Sequence, residues 1–361
     1  MKRAGILAVL FSALMAGTPL PAKAPLHVDD DGAQRPGAYP DIETALTDAV
    51  IGDTILVHDG VYPGGINIYT DRVTLRAVGD AVLDADITPP PPPPWGSAGL
   101  VVQHGVSGVT VQGFEIRGFD AGIVVGIASD DNVVKSNTVS DSAGVGIVVA
   151  DTAAANSIVD NVVTDSGLGI VLDPASAANS VVGNAISLCG TGIVLVGAND
   201  NKVRENRITD STASGLVLTE ASAGNELMGN VVTTSGGMGI TVFANDNVVK
   251  DNQVMASGLS HWAWKDGIRI LGDDNEIKDN DVYDSREEGI AIRGNRNLVV
   301  DNRVFLSGRY GIGMLYWSLD TTDDNLAKDN VVFGSALYDL FDDGTGIGNV
   351  WQDNQYNTAN F

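Results

Sequence analysis

From about residue 120 onward, the apolar positions follow neither the 3.6-residue step of a helix nor one long unbroken run. They come in short β-branched bursts that stop at Gly, Asn or Asp, as in "NVVKSNTVSDSAGVGIVVADT" and then "NSIVDNVVTDSGLGIVLDP". Alternation of this kind predicts short strands with one face turned inward.

The bursts recur in phase. Asn-x-x-x-x-Asn occurs ten times, with its first Asn at 132, 156, 179, 201, 225, 247, 275, 297, 325 and 349. Eight or nine residues after the second Asn there is usually Gly-Ile or Gly-Leu, as at Gly146-Ile147, Gly192-Ile193 and Gly289-Ile290, and most copies run 22 to 24 residues. A unit with three short strands and three bends is one coil of a β-solenoid. Each coil would set its strands about 4.8 Å above the last. The second Asn, stacked at an inward bend, can then bond its amide to the copies above and below. The apolar residues two after each first Asn (Val134, Ile158, Val249, Ile277, Val299) and the Ile after each Gly, such as Ile147, fill the core.

The pattern Asn-x-Val-x-x-Asn-x-Val with a following Gly-Ile resembles the right-handed parallel β-helix family, which includes pectate lyases, mannuronan C-5 epimerases and the NosD maturation proteins. "YPDIETALTDAVIGDTILVHDGVYPGGINI" is similar to that family's opening, and "GVTVQGFEIRGF" to a further coil entry. The resemblance implies an all-β chain: a single right-handed parallel β-helix, a three-sheet solenoid with a short N-terminal capping helix near Ile42 to Val50. Such a helix shields the open end from edge pairing. The scaffold hosts lyases, hydrolases, epimerases, adhesins and inert spikes, so it leaves the function open.

Residues 1–24 read as an export signal: Lys2 and Arg3, an apolar run from Ala4 to Ala16, then "PAKA". Residues 25–361 form the β-helix, with a cap over 25–53, a proline-rich loop over 88–98 and regular repeats over 120–361. The run is too short to span a membrane, so the expectation is an exported protein, secreted, periplasmic or at the cell surface. A formal charge of −25 argues against nucleic acid and anionic membranes as partners. Cys189 is the single cysteine, so no intramolecular disulfide can form.

Two coils are 28 residues long, and their extra residues are chemically unlike the rest. One insertion, within "GLSHWAWKDGIRIL", precedes a Gly-Ile strand, and the other, "LYWSLDTT", follows one about two coils later. They flank opposite sides of one sheet and predict a groove across it. By alternation, the outward column of that sheet reads Val124, Val148, Val171, Val194, Val217, then Thr241, Arg269, Ala291 and Gly313. It turns polar where the long loops lie, and Arg293 falls on the coil next to Arg269.

Trp262, Trp264, Tyr316 and Trp317 offer faces for sugar rings, with Asp266 and Glu288 alongside; a lid over an apolar sheet is the alternative. The expected partner is an extended, uronate-containing polysaccharide. β-Elimination of a uronate needs cations for its carboxylate, a base and an acid. Arg269 and Arg293 supply the first, Lys265 or His261 the second, and Tyr310 or Tyr316 the third. Lysine and arginine bases agree with the lyases of the resembled family, so an enzyme here would be a polysaccharide lyase. The Asp-Pro-His-Asp signature of its epimerases is absent: Asp173-Pro174 continues as Ala175-Ser176. A glycosidase would want two facing carboxylates; Asp266, Glu287 and Glu288 are near enough, but adjacent charges on a turn are usually just solvated.

The residue before the second Asn is Asp at 251, 279, 301, 329 and 353. Carboxylates stacked near 5 Å repel, and Ca2+ bridging of Asp251, Asp279 and Asp301 would relieve this; solvated turn aspartates are the plainer account. The alternative to carbohydrate work is a NosD-like maturation or scaffold role, or a non-catalytic surface protein. Copper handling would favour clustered ligands, whereas His27, His58, His104 and His261 are scattered in the sequence.

Overall fold

A computed structural model describes residues 23–88, 97–260, 264–316 and 322–361. The chain winds as a parallel β-solenoid of three sheets. Sheet A has fourteen strands, from Leu26–Val28 to Val350–Gln352. Sheet B has twelve, from Gly60–Pro63 to Val331–Phe333, and sheet C twelve, from Ile66–Ile68 to Tyr338–Asp342. Neighbours within each sheet come from successive coils and pair in register, so that Val134 faces Ile158 in sheet A, Val139 faces Val163 in sheet B and Ile147 faces Ile170 in sheet C. Those six side chains are fully buried and belong to one continuous core. Coil stacking starts at Leu26–Val28, far upstream of the first Asn pair.

The capping helix runs Ile42–Asp48, its first turn closed by the Asp41 carboxylate, which accepts from the Thr44 amide. Ile42, Ala45 and Leu46 are its buried residues, and its other face is wet. It contacts the first strands of sheets A and C.

Sequence spacing pointed to one asparagine ladder; the solenoid has two. At the second position, the Asn137 amide N–H and Nδ2 both donate to Asn161 Oδ1 at 3.0 Å. Asn137 Nδ2 also donates to the Val111 carbonyl at 3.2 Å. At the first position, Asn132 treats Asn156 in the same way, at 2.9 and 3.0 Å. One carboxamide per bend thus satisfies backbone groups that water cannot reach, which would otherwise cost about 1–3 kcal/mol each.

The residue before each ladder Asn turns the corner in the left-handed region: Asp251, Asp279, Asp301, Asp329 and Asp353 have φ of 51° to 56°. Asp tolerates that conformation because its short side chain bonds locally. A third inward column escaped the sequence reading: Ser142, Cys189, Ser211, Ser235, Ser257, Ser285 and Ser307 are buried at the turn into sheet C. The glycine that follows must be glycine. A Cβ on Gly267 would lie 2.4 Å from Val282 Cγ1 and 2.6 Å from Ser285 Oγ.

Candidate functional site

The outer face of sheet C changes character along the solenoid, as its sequence column predicts. Val124, Val148, Val194 and Val217 are partly exposed. Then Thr241, Arg269, Ala291 and Gly313 stand in register on successive strands, and all are buried. The expectation of an open groove floor at Arg269 is therefore corrected, because this side chain is only 1% exposed. The Trp264 ring lies against it.

Around Arg269 lies a cluster of six charged groups. Arg269 Nε donates to Asp266 Oδ2 at 2.5 Å, both groups being out of solvent, and the Arg269 guanidinium lies 4.4 Å from the centre of the Trp264 ring. Asp266 Oδ1 accepts the backbone N–H of Glu288 at 3.2 Å, tying one coil to the next. Glu288 Oε1 accepts from Arg309 Nη1 at 3.1 Å. Arg309 is half-exposed and stacks over Tyr310 at 4.6 Å, so it connects the buried Glu288 to the surface. Glu287 Oε2 accepts the Lys265 amide at 3.3 Å, and Arg293 is buried on the Glu288 coil.

Carboxylate oxygens of Asp266, Glu287 and Glu288 come within 4.8 Å of one another. They are not the solvated turn charges that sequence adjacency suggested. Burial pushes the Glu288 carboxyl up to about 8, and the Asp266 carboxylate pushes in the same direction, while Arg309 and Arg293 pull it down. Glu288 Oε2 is enclosed with no donor facing it, the setting in which a carboxyl group keeps its proton. Burial, and Arg269 after it, likewise lower the proton affinity of Arg293.

The other sequence candidates divide. Lys265 is half-buried and packs against Gly258, whose positive φ of 85° opens the first insertion. Trp264 is 40% and Tyr316 47% exposed. Tyr310 is buried, its ring stacked flat on Phe341 at 3.9 Å; packing rather than proton donation accounts for it. His261, Trp262 and Trp317 lie outside the described residues. Arg309 was missed by the sequence reading, since it sits in an ordinary turn of the next coil. The Asp251, Asp279 and Asp301 column stays half-exposed or exposed. Its left-handed φ accounts for Asp at these bends without an ion. Among the described residues, the acidic groups close enough to share a metal are the Asp266 cluster and Asp29, Asp30 and Asp31.

No protein of curated function matches the chain significantly. Residues 96–235 match the family described as periplasmic copper-binding protein (NosD), and residues 259–360 match the right-handed beta helix region. Among solved structures, the catalytic domain of a GH87 alpha-1,3-glucanase in complex with tetrasaccharides is similar at 13% identity and a TM-score of 0.71, over 93% of this chain and 69% of that one. XylC with xylose is similar at 13% identity and a TM-score of 0.56, over 86% and 75%. A periplasmic alginate epimerase, AlgG, is similar at 13% identity and a TM-score of 0.55, over 84% and 78%. At that identity the likeness is one of fold. No described helix is long and apolar enough to cross a membrane. The in-register coils and the two family matches together make this chain a right-handed parallel β-helix repeat protein.

Proposed function

We propose that this is an exported carbohydrate-active protein that binds an extended acidic polysaccharide across sheet C and cleaves it with Glu288 as the general acid. The observation that carries the reading is the buried Asp266–Glu288 pair on adjacent coils, where Glu288 holds its proton to about 8. Protonation of the leaving glycosidic oxygen is common to hydrolysis and β-elimination, and a neutral carboxyl supplies it. Arg269 donates to Asp266, and the Asp266 carboxylate pushes the proton affinity of Glu288 up. Lys265 is the base if the reaction is an elimination; in a hydrolysis Glu287, whose carboxylate oxygen comes within 4.8 Å of that of Glu288, is the nucleophile, the role that a short separation suits.

Arg309 and Arg293 give a substrate carboxylate its counter-charge; a uronate that draws Arg309 away from Glu288 also uncovers the acid. Trp264 and Tyr316 supply the flanking ring faces, with Trp262 and Trp317 in the same insertions. The saccharide-acting proteins named above share the fold and fit the reading.

The test is incubation of the full chain with polygalacturonate, alginate and a neutral glucan. New reducing ends from an acidic polymer are expected, abolished in Glu288→Gln with binding retained. Ultraviolet absorbance of an unsaturated product marks elimination, and its absence hydrolysis. Failure of every polymer to bind sinks the reading. The NosD match over residues 96–235 favours a second one, a maturation or scaffold role using the smooth valine face of the early coils; it expects no glycan binding.

A further inference from the structure

Of the four histidines that look scattered in the sequence, the solenoid brings two together at the end opposite the carboxylate cluster. His27 leaves the first strand of sheet A, and His58 follows the second, one coil later. Their side chains are half-buried, their rings stack at 5.3 Å, and His27 Nδ1 lies 2.9 Å from His58 Nε2. Two donors in cis positions on an ion, each about 2.0–2.1 Å from it, are separated by about 2.8–3.4 Å in tetrahedral or square geometry. The observed spacing falls inside that range. In the ion-free protein the same spacing lets one imidazole N–H donate to the other.

The two backbones are fixed before any ion arrives. The His58 amide donates to the Val28 carbonyl at 2.9 Å, the Tyr39 amide donates to the His27 carbonyl at 2.8 Å, and the Tyr62 hydroxyl donates to the His58 carbonyl at 3.0 Å. The charge of Arg35 acts on His27. Asp29, Asp30 and Asp31 follow directly and give the region a negative field.

We infer that His27 and His58 form a two-imidazole site for a divalent first-row transition ion, completed by water or by a donor from a partner. Imidazole pairs select Ni2+, Cu2+ and Zn2+ over Ca2+ and Mg2+. The inference rests on the geometry of the N-terminal coils, which lie outside the NosD-matched segment, and is independent of the polysaccharide reading. Arg35 works against the ion by charge, so the site is weaker than the two ligands alone would make it.

Calorimetric titration of the full chain with nickel chloride at neutral pH tests it. One saturable site is expected, weakened at least tenfold in His27→Ala and in His58→Ala, unchanged in His104→Ala and severalfold tighter in Arg35→Gln. Calcium chloride should not compete. His27→Gln, with a circular-dichroism melt, stands in should the alanine variant unfold. No saturable nickel binding, or binding that neither histidine substitution weakens, overturns the site.

Discussion

The coils from Asn132 to Asn252 and those from Asn252 to Asp343 share one backbone plan and differ in what their outer faces carry. In the first set, asparagine-to-asparagine steps are 22 to 24 residues, and sheet C carries the half-exposed Val148, Val194 and Val217. In the second set, two steps stretch to 28 residues, and the same face carries Asp266, Arg269, Glu288 and Arg293, all buried. The second-position ladder passes through both regions unchanged, Asn252 still donating to Asn280 Oδ1 at 3.0 Å across the first insertion, whereas in the first-position ladder Asn247 and Asn297 keep only the backbone N–H bond to the next rung where the coil lengthens. The solenoid therefore separates stability from chemistry. The inside repeats, and the outside can be rebuilt wherever a corner admits extra residues.

The largest expected effect lies in the second region. Asp266→Ala strands the buried Arg269 guanidinium and should cost about 3–5 kcal/mol in denaturant unfolding. The double replacement Asp266→Leu with Arg269→Met should recover most of that loss. If the single substitution is neutral, the pair is not buried as described.

Close behind comes Asn280→Leu in the shared ladder, expected to cost roughly 3 kcal/mol, because the Val249 carbonyl, the Asn252 donors and Asn302 Oδ1 lose partners together. The same change at Asn354, on a part-buried end rung, should cost only about 1 kcal/mol. Equal losses at the two sites would contradict a ladder that gains from enclosure.

A smaller effect follows from linkage. Between its ordinary value of 4.5 and about 8, folded Glu288 binds a proton that the unfolded chain has released. Stability from this group is thus complete below about 4.5 and is lost as pH rises through about 8. Wild type should melt at a lower temperature as pH rises across that window, and Glu288→Gln should flatten the trend. Asp173, also pushed up by burial, contributes in the same sense to both proteins, so the difference between them isolates Glu288.

The smallest expected change is at the bends common to both regions. Asp279→Gly should shift stability by less than about 1 kcal/mol, since glycine accepts the left-handed corner, while a β-branched Asp279→Val should lose more. A rise in melting temperature on adding calcium, lost in Asp279→Gly, would instead put an ion on the column.

Much of the architecture is legible because each coil repeats the same physical demand. Asn at a closed bend, Gly where Gly267 meets Val282, and a β-branched residue at every inward position recur often enough for spacing alone to expose them. Arg269 also stands in the sheet C column where alternation puts it, in register with Thr241 and Ala291. The sequence did not show that Asp266 and Glu288 are buried, because enclosure depends on contacts that have no period. Arg309 was invisible for a related reason: its partner Glu288 is on the previous coil, 21 residues away. His27 and His58 lie in early coils that lack the asparagine pair, so no repeat announced their register.

The central claim, that the rebuilt face keeps a neutral carboxyl group at Glu288, can be measured directly by infrared difference spectroscopy of wild type against Glu288→Gln. At neutral pH, the wild type should show a protonated-carboxyl C=O stretch absent from the variant, fading as pH passes about 8. A spectrum showing only ionised carboxylate at Glu288 at neutral pH would contradict the account and remove its general acid.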